Sequence, residues 1–534
     1  MRIALASDHA GFQLKELLLN RLAAEADLSF VDLGTHAAAP PVDYPDYARL
    51  AANAVVRGDA DRAIVVCGSG AGACIAADKF PGVRAVSVTD TYTAHQAVEH
   101  DDANILCLGE RITGSELAIE IARAFLRAQF SEQERHRRRV GKIAAIEAES
   151  NFPTEALRRQ GQSIWIDNIA RNMLTSGELR RLAWNDRVTG VTSNPTIFEK
   201  AMSQGPEYEA PARALAEQGK STEEIFWELA IEDIRGAADV MRATYELTDG
   251  QDGYVSLECA PSVANDTQGT IAMAADLWQR LDRPNVMIKI PATTEGIEAI
   301  EATIASGINV NVTLLFAVEL YEQVARAYVK GLQRFFSGHQ PRNLSHTAAR
   351  RPAPASVASF FVSRVDTSID KLLGEKIAAG GAVTRYEALL GQAAIANARL
   401  AYALFGTIFA GPEWDTLAER GADVQRPLWA STSTKNPRYR DVRYVEELIG
   451  PNTVNTLPPA TLEAFKDHGR VSRTIDTPEA LEQAQATIRN LKAAGIDLMD
   501  VTLQLQREGV KSFGDSFDHL VQRLEERRRA LTPA

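Results

Sequence analysis

The sequence predicts an α/β protein in two parts: a doubly wound, parallel-sheet (Rossmann-like) domain, then a (β/α)8 TIM-type barrel. Two observations carry the reading. Five short apolar runs alternate with amphipathic helical stretches over residues 1–130, and eight more recur between residues 163 and 458. In the second set, a polar or charged residue stands near the C-terminal end of almost every run, where a barrel builds its site.

In the first part, IALAS (3–7) leads into a helix over Phe12–Ala24, and LSFVDLG (28–34) into one near Tyr47–Val56. AIVVCGS (63–69) precedes a helix near Ala73–Lys79, VRAVSVTD (83–90) one near Ala94–Glu99, and ANILCLG (103–109) one from Ser115. A polar helix then carries the chain to about Ser150. The boundaries that follow are a first domain over 1–150, a linker over 151–160 marked by Pro153 and the following Gly161, and a barrel domain over 161–534. The barrel strands are expected at SIWIDNI (163–169), VTGVTSN (188–194), YVSLECA (254–260), VMIKIPA (286–292), INVNVTLLF (308–316), SVASFFVS (356–363), RPLWAST (426–432) and TVNTLP (453–458). The biased stretch 337–356 reads as a long surface loop before the sixth of them.

The composition, 45% hydrophobic and 24% charged, is that of an ordinary globular chain. A net charge of −12 argues against nucleic acid or an anionic membrane as partner. The longest nearly uncharged stretch, 63–77, is too short to span a bilayer, and Asp8 and His9 interrupt the start before a signal core forms. A cytoplasmic location is expected. Four cysteines without CxxC pairing predict neither a metal site nor a disulfide framework. The basic run RHRRRVGK (135–142) reads either as a solvated helix face or as a small-anion site.

IVVCGSGAGAC (64–74) fits a relaxed dinucleotide fingerprint, and Asp90 closes the next apolar run about 20 residues on, where a ribose carboxylate would sit. The stretch follows the third strand rather than the first, however. SDHAG (7–11) already offers a phosphate-type helix start, with His9 beside it. In a doubly wound sheet Asp8, His9, Cys67 and Ser69 all fall at the carboxyl edge, where ligands bind.

In the second part the interrupting residues are Asp167, Asn194, Glu258, Lys289, Asn311 with Thr313, Ser359 with Arg364, and Lys435. Lys289 is the sharpest case, because a charge inside VMIKIPA is costly unless paired or functional. Desolvation and neighbouring charge can free a neutral amine that attacks a carbonyl. A buried ion pair with Asp167 or Glu258 explains the residue equally well at this level.

The stretches IWIDNIAR (164–171), GVTSNPTIF (190–198), VMIKIPAT (286–293) and NVTLLF (311–316) together resemble transaldolase, over roughly residues 160–525. The resemblance implies a Schiff base on Lys289, acid/base work by Asp167, and a catalytic water held by Glu258 and Thr313. Asn194 and Asn311 would orient the dihydroxyacetone end of the donor. Ser359, Arg364 and Lys435 would form the phosphate site, Lys435 standing where many relatives carry arginine. The related fructose-6-phosphate aldolases are shorter and lack the carboxylate at Glu258.

SDHAG (7–11), DYPDYA (43–48), CGSGAG (67–72) and EHDDANILCLGERITG (99–114) resemble type B ribose-5-phosphate isomerases and their sugar-phosphate relatives, over roughly residues 1–148. The resemblance implies proton transfer through a cis-enediolate, with Cys67 as base and Ser69 as proton relay. The amides of Gly68, Gly70 and Gly72 would face the oxyanion. Asp8 and His100 would serve ring opening and hydroxyl binding, with Asp101 where some relatives have asparagine. Some relatives use a glutamate as base where this chain has Ala73. His9, Arg135 and Arg139 would hold the phosphate, the arginines reaching over from the second subunit of a homodimer.

A bifunctional pentose phosphate enzyme is therefore expected, acting on small sugar phosphates with no cofactor and no metal. Two alternatives stay open for the first part: an isomerase of another sugar phosphate, or a non-catalytic binding or dimerisation module.

Overall fold

The apolar runs of the first 130 residues fold as five parallel strands, β1 (Arg2–Ser7), β2 (Ser29–Asp32), β3 (Arg62–Cys67), β4 (Ala85–Ser87) and β5 (Ile105–Gly109). They form one sheet in the order β2-β1-β3-β5-β4. Alternation along each strand sends Ile3, Leu5, Ile64, Val66, Leu106 and Leu108 into one core and Ala4, Ala6, Val65, Cys67, Ile105 and Cys107 into another. The two cores explain why these strands read as continuous apolar runs. The chain leaves β1 on one side for β2 and returns on the other for β3, so the segments after β1 and β3 diverge at the carboxyl edge.

The structure is a computed structural model that describes residues 1–150, 153–338 and 353–531. Its contacts separate two units, Met1–Asn151 and Phe152–Ala534. The expected linker needs correction: Pro153–Arg159 is a helix, and its Leu157 is fully buried in the core of the second unit. Of the expected loop 337–356, residues 339–352 lie outside the described residues. Among the described residues no single helix is long and apolar enough to cross a membrane, though one sharply bent pair passes on length and composition.

In the second unit the strands are β6 (Gln162–Ile166), β7 (Val188–Val191), β8 (Val255–Glu258), β9 (Val286–Pro291), β10 (Val310–Leu315), β11 (Ser356–Phe361), β12 (Arg426–Ala430) and β13 (Thr453–Leu457). They close into a parallel barrel in which β13 pairs with β6. The fully buried Trp165 lies against Gly190, where a Cβ would fall 2.5 Å from the indole. Nearby, Asp252 Oδ1 accepts from Trp165 Nε1 at 2.7 Å and Oδ2 from Thr189 Oγ1 at 2.9 Å. Ser163 Oγ also donates to Oδ2, and Arg426 lies 3.6 Å from the carboxylate.

The long C-terminal helix Leu498–Leu531 crosses the carboxyl end of the barrel. Gln506 Nε2 donates to Ala292 O, just past β9, at 2.5 Å, and Ser516 Oγ is 2.9 Å from Thr196 Oγ1, past β7. Phe517 packs edge-on against Phe226.

Asp252→Ala leaves Trp165 Nε1 and Ser163 Oγ without their acceptor and takes one acceptor from Thr189, and is expected to lower stability by about 2–4 kcal/mol. Denaturant unfolding followed by tryptophan fluorescence checks this; a loss under about 1 kcal/mol would contradict the role given to this network.

Candidate active sites

Register brings the polar strand residues of the barrel together. Glu258 pairs with Lys289 across β8 and β9, and Lys289 with Asn311 across β9 and β10. Paired positions of parallel strands share a face, so the three side chains form a row. Lys289, 4% exposed, donates from Nζ to Ser193 O at 2.8 Å and to Glu258 Oε2 at 3.3 Å. Desolvation raises the Glu258 carboxyl above its ordinary range; Lys289 opposes the shift and Asp167 adds to it.

Asn311 is fixed from both sides: its Nδ2 donates to Ser256 Oγ at 2.9 Å and its Oδ1 accepts from Ser359 Oγ at 2.7 Å. Ser359 thus joins the row deep in the barrel. Thr313 is also buried, and its Oγ1 has no hydrogen-bond partner among the described residues. The register of β10 breaks between Val312 and Leu315, and Leu314 sits at φ 55. Irregularities of this kind re-aim side chains beside active sites.

Asp167 follows β6 and donates its backbone N–H to Leu457 O at 2.8 Å. Its Oδ1 accepts from Thr192 Oγ1 at 2.8 Å, and Thr192 meets Thr456 Oγ1 at 2.7 Å. Burial raises the Asp167 carboxyl; the charges of Lys289 and Lys435 and the Thr192 bond act the other way. Both rim and interior cations therefore act on this carboxylate. Asn194 caps the helix Pro195–Gln204 through Oδ1, which accepts from Ile197 N at 2.9 Å, so only its amide faces away from the helix.

Two cations stand at the rim. Arg364 opens the helix Ser363–Ala378, half-buried over the Phe361 ring, with no hydrogen bond or ion pair among the described residues. Burial pulls its pKa down, and Glu508 of the C-terminal helix opposes this. Lys435 is exposed and donates to Ser433 Oγ at 2.7 Å.

In the first unit, the site candidates divide between the two ends of the sheet. At the carboxyl edge, Asp8 Oδ1 accepts from Ala10 N and Gly11 N, both at 3.0 Å, which shapes the turn into the first helix. His9 Nδ1 engages the Val42 backbone at 3.0–3.1 Å, leaving Nε2 available. Cys67, 4% exposed, accepts from Gly70 N at 3.2 Å, and Ser69 is exposed beside it. Gly70 adopts φ 78, and a Cβ there would lie 2.8 Å from Ser87 Oγ, so the turn under the thiol needs glycine. Arg111 lies against Gly68, and the Tyr44 ring against Gly72.

His100 and Asp101 end the helix Thr91–Asp101 and precede β5, while Cys67 ends β3 opposite Gly109, the last residue of β5. Traversing β5 covers about 15 Å, so His100 and Asp101 lie at the opposite end of the sheet from Cys67 of the same chain. His100 is instead 4.1 Å, ring to ring, from His136. His136 lies on the helix Glu134–Ser150 that also carries the exposed Arg135 and Arg139. Enclosure, then His100 and those arginines, pull the His136 pKa down. Asp90, the ribose-carboxylate candidate of the glycine fingerprint, is a helix N-cap that accepts from Thr93 N at 2.7 Å.

Sequence reasoning missed Ser256, Thr192, Thr456 and the Ser193 carbonyl, which orient Asn311, Asp167 and Lys289. Ser256 stands two residues before Glu258, so the strand period would have flagged it. It also missed Arg111, Tyr44 and His136.

The closed parallel barrel thus sets a buried lysine–glutamate pair beside two carboxamides, Asn194 and the interior Asn311, with two cations at its rim. Residues 164–524 match the family model described as Transaldolase/Fructose-6-phosphate aldolase, and the chain belongs to that family. It is 49% identical over 377 residues to a transaldolase of Saccharopolyspora erythraea, covering 71% of this chain and 98% of that one. It is 46% identical over 381 residues to a transaldolase of Thermobifida fusca, covering 71% and 99%. Residues 3–143 match the family model described as Ribose/Galactose Isomerase. A solved structure of Clostridium thermocellum ribose-5-phosphate isomerase B aligns with 45% identity and a TM-score of 0.27, over 28% of this chain and 100% of that one. The chain therefore joins a barrel of the transaldolase family to a region that matches the Ribose/Galactose Isomerase model.

Because the Thr313 hydroxyl is buried without a partner, Thr313→Val is expected to leave stability unchanged or to raise it by up to about 1 kcal/mol. A loss of more than about 1 kcal/mol in denaturant unfolding would show that the hydroxyl supports the fold.

Proposed function

We propose that the second unit transfers dihydroxyacetone from sedoheptulose 7-phosphate to glyceraldehyde 3-phosphate through a Schiff base on Lys289, and that the first interconverts ribose 5-phosphate and ribulose 5-phosphate. The observation that carries the first half is the buried Lys289 amine, held between Ser193 O and Glu258 at the carboxyl end of the barrel. Lys289 passes a proton to Glu258, the amine adds to the donor ketone, and water leaves as the protonated imine forms. The raised Glu258 carboxyl supplies and recovers the protons for that exchange, with the water seated on Thr313. Asp167 takes the proton of the hydroxyl next to the breaking carbon–carbon bond. The four-carbon aldose phosphate leaves as the bond breaks, and the electron pair delocalises into the imine as an enamine, which attacks the acceptor aldehyde; water then hydrolyses the new imine and frees Lys289. The amides of Asn194 and Asn311 orient the three-carbon fragment, Ser359 holding Asn311 in place. The phosphate lies at the start of the helix Ser363–Ala378, between Arg364 and Lys435. Lys435 brings charge without a bidentate fork.

In the first unit, Cys67 removes the proton from the carbon beside the carbonyl. The amides of Gly68, Gly70 and Gly72 receive the enediolate oxygen, Ser69 relays the proton and Asp8 opens the sugar ring. His9 and Arg111 meet the phosphate. His100, Asp101, Arg135 and Arg139 lie at the far end of their own sheet, so a second copy supplies them and the working unit is a homodimer. Ile75, Tyr92 and Ile112, 64%, 72% and 61% exposed on this unit, suit such an interface. The domain's family description spans ribose and galactose isomerases, so the sugar is tested directly.

Cys67→Ala and Lys289→Ala, each assayed for both activities, separate the two halves. Cys67→Ala is expected to lower ribose 5-phosphate isomerisation at least about 100-fold while transaldolase activity stays within twofold, and Lys289→Ala the reverse. Undiminished isomerisation in Cys67→Ala would remove the base assignment. Faster turnover of an allose, erythrose or galactose phosphate than of ribose 5-phosphate by the wild-type protein would replace the substrate.

A further inference from the structure

Among the described residues the Lys435 amine hydrogen-bonds only to Ser433 of its own segment, so that segment sets its position. That segment is pinned at both ends to the helix that carries Arg364. Four residues before Lys435, Ser431 accepts at its carbonyl from Ser363 N at 3.1 Å, and its hydroxyl lies 3.0 Å from Ser363 Oγ. Four residues after it, Tyr439 OH donates to Asp370 Oδ2 at 2.6 Å. Ser363 and Asp370 belong to the same helix, Ser363–Ala378, so one rigid element fixes both rim cations.

The far pin is built in detail. Asp370 Oδ1 accepts from Gly391 N at 2.8 Å, which leaves Oδ2 for the tyrosine. Gly391, at φ 68, lies so close that a Cβ would fall 2.6 Å from Tyr439 Cζ and 2.5 Å from Arg443 NH1. The Arg443 guanidinium covers the Tyr439 ring at 5.0 Å. One turn earlier Asp366 repeats the pattern, accepting from Tyr444 OH at 2.7 Å and Ala394 N at 2.8 Å. Two aspartates four residues apart thus each hold one tyrosine hydroxyl and one backbone amide.

We propose that Tyr439 and Asp370 are positioning residues that hold Lys435 over the phosphate site, and so set the preference of the barrel for phosphorylated over unphosphorylated sugars. The inference rests on the assignment of Arg364 and Lys435 to the phosphate. A lysine head is a point charge that gains little from an oxyanion unless its stem is held nearby. Releasing one end of the pinned segment leaves Arg364 in place and lets Lys435 swing away.

The test compares glyceraldehyde 3-phosphate with glyceraldehyde as acceptor in the full-length protein. Tyr439→Phe keeps the ring and removes only the hydroxyl. The ratio of the two kcat/KM values is expected to fall about fivefold, through KM for the phosphorylated acceptor. In a Lys435→Ala background the same substitution is expected to change the ratio no further. An equal loss on both acceptors, an unchanged ratio, or a full additional loss in the Lys435→Ala background would overturn the positioning role. If Lys435→Ala alone leaves the ratio unchanged, the phosphate assignment fails, and this proposal with it.

Discussion

The barrel site depends on one buried ion pair. Lys289 and Glu258 face each other because β8 and β9 pair in that register, and a slip of one residue would turn both side chains to the other face. Removing one partner of a buried pair strands the other, at about 3–5 kcal/mol. The surrounding groups offset this: Ser193 O takes a second Lys289 proton, and the Asn311–Ser256–Ser359 chain fills the next positions of the row. The pair is thus satisfied atom by atom, with Lys289 Nζ held by two acceptors and burial keeping the Glu258 carboxyl above its ordinary range.

The two units solve the problem of assembling a site differently. The barrel brings candidate residues from seven of its strands or the segments after them to one mouth, and its C-terminal helix spans that mouth through Gln506 and Ser516. Its interior polarity falls into two levels, Asp252 with Ser163, Trp165 and Thr189 in one and the lysine row in the other. The open sheet of the first unit has a single ligand edge. Its thiol and glycine turn lie at that edge, while His100 and the basic helix face lie at the other. The same chain thus gathers the candidate residues of the barrel at one mouth and leaves those of the first unit separated by the length of a strand.

Much of this was legible in the sequence. All thirteen strands lie within or beside their expected runs; apart from the partly exposed edge strands β2 and β4, they are buried and leave long apolar stretches. Lys289 was legible for the same reason, as a charge where none is tolerated without a partner. The less legible residues were those whose side chains look ordinary in line. Ser256, Thr192 and Thr456 are small polar residues whose role is fixed only when barrel closure sets them beside Asn311 and Asp167. Leu157 was hidden because a proline and a nearby glycine resemble a linker, whereas the proline opens a short helix that packs on the barrel. The order of motifs along the chain also hid the separation of His100 from Cys67, since sequence order does not say which end of a strand a helix approaches.

The proposed transfer turns on a covalent link between Lys289 and the donor sugar. Borohydride reduction in the presence of fructose 6-phosphate, followed by peptide mass mapping, detects that link. A reduced three-carbon adduct is expected on the peptide that contains Lys289, formed in proportion to the loss of transaldolase activity, with isomerase activity retained. An adduct on another lysine, or loss of activity with no adduct, would contradict it.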